Sequence, residues 1–250
     1  SSRPGEKTYR VRGTRAPFYT FNVIDGILSV KEVMAVASKY QATITEYLNS
    51  VLLYALLQKQ QSDWHIKLRP VKIAMPVNLR RFFPSETLRN FITMVYPGVD
   101  PRLGDYTFEE IVKQVHNYML YYINDKFLRV DFTTNANTKR NPLIRVVPLF
   151  IKDFVVRMFY TKVQDRNSSA GLTNMGALKV PDDMKPYIDR FDIYMGQPFS
   201  CRTNCAIVSF EDTLTINFAS SILESDVERL FFQKLVSDGI HVKIESNRTY

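Results

Sequence analysis

The sequence predicts an α/β domain, a mixed β-sheet flanked by helices. Helix starts are marked by four Ser/Thr-x-x-Glu boxes: Ser29 with Glu32, Thr43 with Glu46, Thr107 with Glu110, and Ser225 with Glu228. Each stands ahead of apolar residues at helical spacing. Short strand-like runs are intermixed with these helices, without a strict strand–helix–strand rhythm. The composition, 45% hydrophobic and 23% charged over 250 residues, suits one large core or two small ones.

In chain order, residues 19–24 read as a first strand, and Asp25-Gly26 as its end and turn. Ser29 opens an alanine-rich helix, and Thr43 a second, apolar one. Residues 71–77 and 91–96 read as two strands on either side of "VNLRRFFPSETLRN", which sets arginines and asparagines at the edge of a core. After Thr107 the apolar positions Ile111, Val115, Tyr118 or Met119, and Tyr122 mark one helix face. Residues 131–142 read as a surface loop. The longest apolar stretch, 143–160, is broken by Arg145, Lys152, Asp153 and Arg157 and reads as a long helix, not a membrane span. A loop at 164–170 follows. Residues 191–195 read as a strand. The pair 206–210 and 214–219 reads as a hairpin turning at Glu211-Asp212. Ser225 opens a last helix with Val227, Leu230 or Phe231, and Leu235 inward. The break at Asp238-Gly239 precedes a short closing strand, 240–244.

Charge and composition narrow the function. The net charge of +8 collects at residues 9–15 ("YRVRGTR"), at 67–72, and at Arg80-Arg81. No RNA-recognition, zinc-finger or helix-turn-helix signature accompanies it, so nucleic acid is not the expected partner. A solvated basic surface accounts for the charge; a phosphate-bearing small molecule is the sharper alternative. The two cysteines, in "CRTNC", stand roughly 13 Å apart at about 3.3 Å per residue if extended, too far for a disulfide. Free thiols in a reducing, cytoplasmic setting are therefore expected. No further ligand follows at zinc spacing, and no metal site is expected.

The three histidines are His65, His116 and His241, and none stands in a triad motif. His116, with Val112 and Leu120 at i−4 and i+4, reads as a packed or half-exposed helix residue. With nine glycines in all there is no glycine-rich phosphate loop. On residue chemistry alone, the chain lacks a self-sufficient active site.

Four segments, in order, carry a resemblance. They are "LSVKEVMAVASKYQATITEYLNSVLLYAL" (28–56), "PVNLRRFF…LRNF" (76–91), "GLTNMGAL" (171–178) and "DIYMGQP" (192–198). Together they resemble the C-terminal half of the chloramphenicol-acetyltransferase-like superfamily. That group includes peptide-synthetase condensation domains, alcohol acetyltransferases and plant acyl-CoA-dependent acyltransferases. The third segment resembles the Ser/Thr-Asn-x-Gly strand of the alcohol acetyltransferase branch. The fourth resembles a degenerate DFGWGKP motif that keeps Asp192, Gly196 and Pro198 as structural residues.

The resemblance implies one lobe of a two-lobe CoA-dependent acyltransferase fold. Residues 18–250 would form the C-terminal lobe, and 1–17 an N-terminal extension or interlobe linker. It also implies that Asn78, Arg80 and Asn90 tie strand ends together and line an interlobe channel; a local structural role for Arg80 and Arg81 stands beside this. Thr173 and Asn174 would contact a thioester ligand or serve the strand alone. A CoA thioester is the implied co-substrate, with no covalently bound cofactor. The implied partner is an N-terminal lobe, without which the isolated lobe would self-associate.

One departure matters. The family's HHxxxDG motif, whose second histidine is the general base, has no counterpart here; "FNVIDG" (21–26) keeps only Asp25-Gly26. The lobe alone is therefore expected to be inactive. The alternative is a non-enzymatic interaction module of the same fold. The aromatic stretches 118–127 and 157–163 would suit its docking face, and would equally suit a core.

Overall fold

The computed structural model describes residues 6–17, 20–63, 67–84, 86, 91–130, 167–196 and 202–248. The loop expected at 131–142, the helix at 143–160, and the sites Asn90, Pro198 and His65 lie outside them. Eight strands form one mixed sheet. They are β1 (Asn22–Ser29), β2 (Val71–Asn78), β3 (Ile92–Val95), β4 (Gly98–Val99), β5 (Ala170–Ala177), β6 (Thr203–Phe210), β7 (Thr213–Ser220) and β8 (Lys243–Ser246). The order is β3-β2-β5-β6-β7-β1-β8, with β4 also on β2. The β2–β5 and β5–β6 pairs are parallel and the others antiparallel.

The helices start where the boxes place them: α1 (Val30–Lys39), α2 (Ile44–Ser62), α3 (Phe108–Tyr122) and α4 (Asp226–Ser237). Thr43 with Glu46 and Thr107 with Glu110 form complete reciprocal caps. Ser29 accepts from the Glu32 N–H, but the Glu32 carboxylate turns instead to His241. The fourth box is a correction: Ser225 makes no side-chain cap, and Glu228 is buried with Oε1 unpartnered among the described residues. Its carboxylate points into the core rather than back along the first turn.

These helices cover one face of the sheet. Ile73, Met75, Leu172, Cys205, Ile207, Ile216 and Phe218 alternate onto that face and share a core with Val33, Leu52, Leu56, Ile111, Val115 and Phe231. At about 25 cal/mol per Å² of apolar surface removed from water, this layer is the main source of stability. The N-terminal segment joins it through buried Tyr9 and Val11, with the Tyr9 hydroxyl donating to Asp63 at 2.8 Å. Cys205 is a free, wholly buried thiol, pushed up by desolvation.

The first strand differs from expectation. Asp25-Gly26 is no strand end or turn but the middle of β1, paired with Asn217 and Ile216 of β7 and with Glu245 and Ile244 of β8. The glycine serves packing here. A Cβ at Gly26 would sit 2.2 Å from the ring of Phe232, which is itself wedged edge-on against Phe218 and Phe231. Gly26→Ala is therefore expected to destabilise the fold by about 1–3 kcal/mol through overpacking, read as a lower urea midpoint at unchanged slope. An unchanged midpoint would show that α4 can move aside.

The hairpin turns at Glu211-Asp212 as its sequence predicts, with Phe210 paired to Thr213 and Glu211 at φ 52°. Asp212 then accepts from the Ser29 hydroxyl and from the Lys31 N–H, tying the turn to the start of α1.

Candidate functional site

The face away from the helices carries one polar row. Thr173, Ala206, Asn217, Asp25 and Glu245 are direct neighbours across β5, β6, β7, β1 and β8. Residues 190–196 lie over this row as a strap. The sequence predicts a strand at 191–195, but these residues run across the sheet face and not along an edge. Their backbone therefore bonds to side chains instead of joining the ladder. The Phe191 carbonyl accepts from the Thr215 hydroxyl at 2.6 Å, and the Ile193 N–H donates to Asn217 Oδ1 at 3.2 Å. The Gly196 carbonyl accepts from Asn204 Nδ2 at 3.5 Å.

Side chains close the network. Asn217 Nδ2 donates to Asp25 Oδ1 at 2.8 Å and to Asp192 Oδ1 at 3.1 Å, so one amide bridges two carboxylates. The Tyr194 hydroxyl donates to Asp25 Oδ2 at 2.9 Å. Arg190 reaches Asp192 at 2.9 Å and Glu245 at 2.7 Å. Burial raises Asp25 above the usual carboxylate range, and the bonds from Asn217 and Tyr194 offset it in part. The Arg190 fork, with Lys243 behind it, brings Glu245 down to about 2. Asp192 and Gly196 thus sit in the piece that fastens the strap.

Beyond the strap the same face exposes side chains on β3, at the end of β2 and on the outer part of β5, while Ala74 and Gly171 are buried. Pairings Asn78–Ile92, Pro76–Met94 and Ala74–Gly171 place these residues on it together with Thr173. Ile92, Met94 and Met175 are 49%, 40% and 56% exposed, an apolar patch with Thr173 and Asn78 at its rim. Asn78 accepts from the Arg80 N–H at 3.0 Å and caps the single turn that ends β2; Arg80 is exposed beside it.

Thr173 and Asn174, adjacent in β5, point to opposite faces. Asn174 donates to the Thr45 hydroxyl of α2 at 2.9 Å and accepts from the Gly176 N–H at 2.8 Å. Gly176 adopts φ 74° in the bulge that shifts the β5–β6 register. The Thr-Asn-x-Gly string is thus read as a bulge with an anchor to α2, and only its threonine lies on the open face.

No described histidine lies on that face. His116 faces Glu46 across α3 and α2 at 3.1 Å, and Glu46 Oε2 is held by Thr43. His241 is almost fully exposed against Glu32. Among the described residues no cluster of three metal-ligating side chains occurs, and no helix is long and apolar enough to cross a membrane.

Sequence reasoning missed Asp25, Tyr194 and Asn217. A signal was present in "TLTINFAS", where Thr215 and Asn217 alternate with buried apolar residues and mark a strand polar on its second face.

No protein-family model matches the sequence, and no curated protein matches it. Solved structures do share its fold. The trichothecene 15-O-acetyltransferase of Fusarium sporotrichioides aligns at 12% identity and TM-score 0.58, covering 92% of this chain and 49% of its own. The epimerization domain of the third module of tyrocidine synthetase B aligns at 12% and 0.54, covering 93% and 51%. The wax ester synthase/diacylglycerol acyltransferase of Marinobacter aquaeolei VT8 aligns at 11% and 0.50, covering 92% and 52%. At such identities the likeness is one of fold, and the chain spans about half the length of each.

Proposed function

We propose that this chain is the C-terminal lobe of an acyltransferase that moves an acyl group from a CoA thioester to an alcohol or amine. The observation that carries this reading is the open sheet face. A sheet whose described helices α1 to α4 lie on one side, with the strap on the other, leaves an apolar patch rimmed by Thr173 and Asn78 where a second lobe packs. Its fold is that of half an acyltransferase or condensation-type domain.

In this reading the second lobe brings the general base, which no described histidine supplies on this face. This lobe supplies a wall of the passage for the donor. Thr173 gives a hydroxyl to the thioester or acceptor, and Arg80 favours the donor's phosphates. Asn174 holds the wall in place from behind. The alcohol acetyltransferase branch serves as the model, through Thr173, Asn174 and Gly176.

The test is acyl transfer from acetyl-CoA to simple alcohols, by the chain alone and by the protein that joins it to its N-terminal half. The chain alone is expected to be inactive and the joined protein active. Thr173→Val should lower kcat/KM at least about tenfold, the scale of one lost polar contact, with Tm unchanged. Asn174→Ala should lower Tm instead. Turnover by the chain alone that is lost on His116→Ala would overturn the assignment. A joined protein that docks but never turns over would make this lobe an interaction module.

A further inference from the structure

A cavity of about 470 Å³ opens at the other end of β2, among Lys72, Tyr96, Asp100, Gln114, Tyr118 and Tyr122. Lys72 and Asn78 are six residues apart, roughly 20 Å along an extended strand, so the proposed acyl passage does not use it. The size falls within the range of small-molecule sites.

Its polar groups are unevenly committed. Asp100 is engaged mainly by Arg102, which donates to it from Nε at 2.8 Å and Nη2 at 2.5 Å, with a third bond from the Arg102 backbone N–H. The same guanidinium also holds Glu6. Gln114 Nε2 is spent on the Gly98 carbonyl at 3.1 Å. The Tyr118 oxygen accepts from the Tyr96 N–H at 3.0 Å, which leaves its proton to donate. Burial pushes that phenol up to about 12, so it remains a donor.

Lys72 is half-buried; among the described residues no carboxylate lies within ion-pair distance of its ammonium, and Glu6 and Asp100 attract it from farther away. Its stem lies so close over Gly98 that a Cβ there would come within 2.6 Å of Lys72 Cγ. Burial pulls the ammonium below its ordinary range against the attraction of Glu6 and Asp100, both already held by Arg102, and an incoming anion would relieve the remaining penalty. Lys72 and the Tyr118 hydroxyl are thus two donors among the residues that line the cavity. Beside them Tyr118 and Tyr122 stack with centroids 4.3 Å apart, and Tyr122 meets Phe127 edge-on at 4.7 Å.

We propose that this cavity binds a small aromatic monocarboxylate, its carboxylate on Lys72 Nζ and the Tyr118 hydroxyl and its ring against Tyr122. A carboxylate accepts from both donors and donates to neither, matching what the cavity lacks. An amine would face Lys72 with like charge, and an aliphatic acid would forgo the ring contact.

The experiment titrates the whole chain with benzoate, benzamide, benzylamine and hexanoate by saturation-transfer NMR and calorimetry. Benzoate should bind, with benzamide and hexanoate each at least about tenfold weaker and benzylamine not detected. Lys72→Met keeps the stem and should weaken benzoate at least about tenfold with Tm unchanged. Tyr122→Leu should weaken benzoate but leave hexanoate as it was. Benzamide or hexanoate binding as well as benzoate would overturn the proposal. So would Lys72→Met leaving benzoate unaffected, or no benzoate binding up to roughly 10 mM. None of these outcomes bears on the acyl-transfer reading, which uses other residues.

Discussion

Replacing Asn217 with leucine is expected to destabilise the fold by about 3–5 kcal/mol and to free the strap at residues 190–196. Leucine keeps the branched outline of asparagine with bulkier methyl ends, so the loss is mainly polar with some overpacking added. Asn217 is fully buried, and its one amide serves two carboxylates and a backbone N–H. Hydrogen bonds to charged groups are worth about 1.5–3 kcal/mol each, and a donor left buried without its acceptor adds its desolvation. Asp25 has an escape, since it can take up a proton.

Burial already raises Asp25, and losing Asn217 raises it further. A carboxyl raised in the folded state binds protons more tightly there than in the unfolded chain. Stability then falls as pH rises through that window. The penalty of Asn217→Leu should accordingly be smaller near pH 4 than at pH 8. Urea unfolding at both pH values, with proteolysis to detect strap release, checks it. A variant within about 1 kcal/mol of the parent at pH 8 would mean that water replaces the amide.

Glu228→Gln is expected to work in the opposite direction, stabilising the chain at pH 8 by about 3 kcal/mol. Glu228 is 1% exposed, at the first turn of α4, with Oε1 unpartnered among the described residues. Desolvation raises it to about 7, with Asp226 adding to the shift while its own N–H and Arg248 oppose it. Its folded pKa exceeds its unfolded one, so the native state holds the extra proton between roughly pH 4.5 and 7. The group's contribution to stability is thus fully present below that window and lost as pH rises through it. Glutamine keeps the shape and removes the ionisation. The gain should therefore be large at pH 8 and small at pH 5, roughly 5–10 °C against little in Tm for a chain of this size. Equal gains at both pH values would show that the carboxylate is paired in solution.

What was legible in the sequence follows from how local each cause is. A cap and an apolar stripe lie within one helix, so all four helix starts can be read from Ser29, Thr43, Thr107 and Ser225. The hairpin at Glu211-Asp212 is equally local. Gly26 was misread because a glycine after an aspartate looks like a turn, while the ring that needs its bare Cα belongs to Phe232, over two hundred residues away. The strap was misread as a strand for a similar reason. Residues 191–195 are extended, but the side chains that receive their backbone, Thr215 and Asn217, come from another element. Asn174 could be picked out as special, yet nothing short of β5's register shows that it faces α2. The network at Asp25 and the cavity at Lys72 are assembled across the sheet, beyond the reach of any local pattern.

The position of β1 also bears on when the molecule can form. Its two neighbours in the sheet are β7 and β8, and Asp25 meets Asn217 at a separation of 192 residues. Closing so large a loop is entropically unfavourable, and long-range pairings of this kind slow folding. A ribosome makes β1 well before β7 and β8. For most of synthesis the strand has a glycine with no ring to cover it and an aspartate with no amide to meet it. β1 is thus translated well before it can be secured, and until residues 213–246 emerge its apolar flank remains for chaperones to shield.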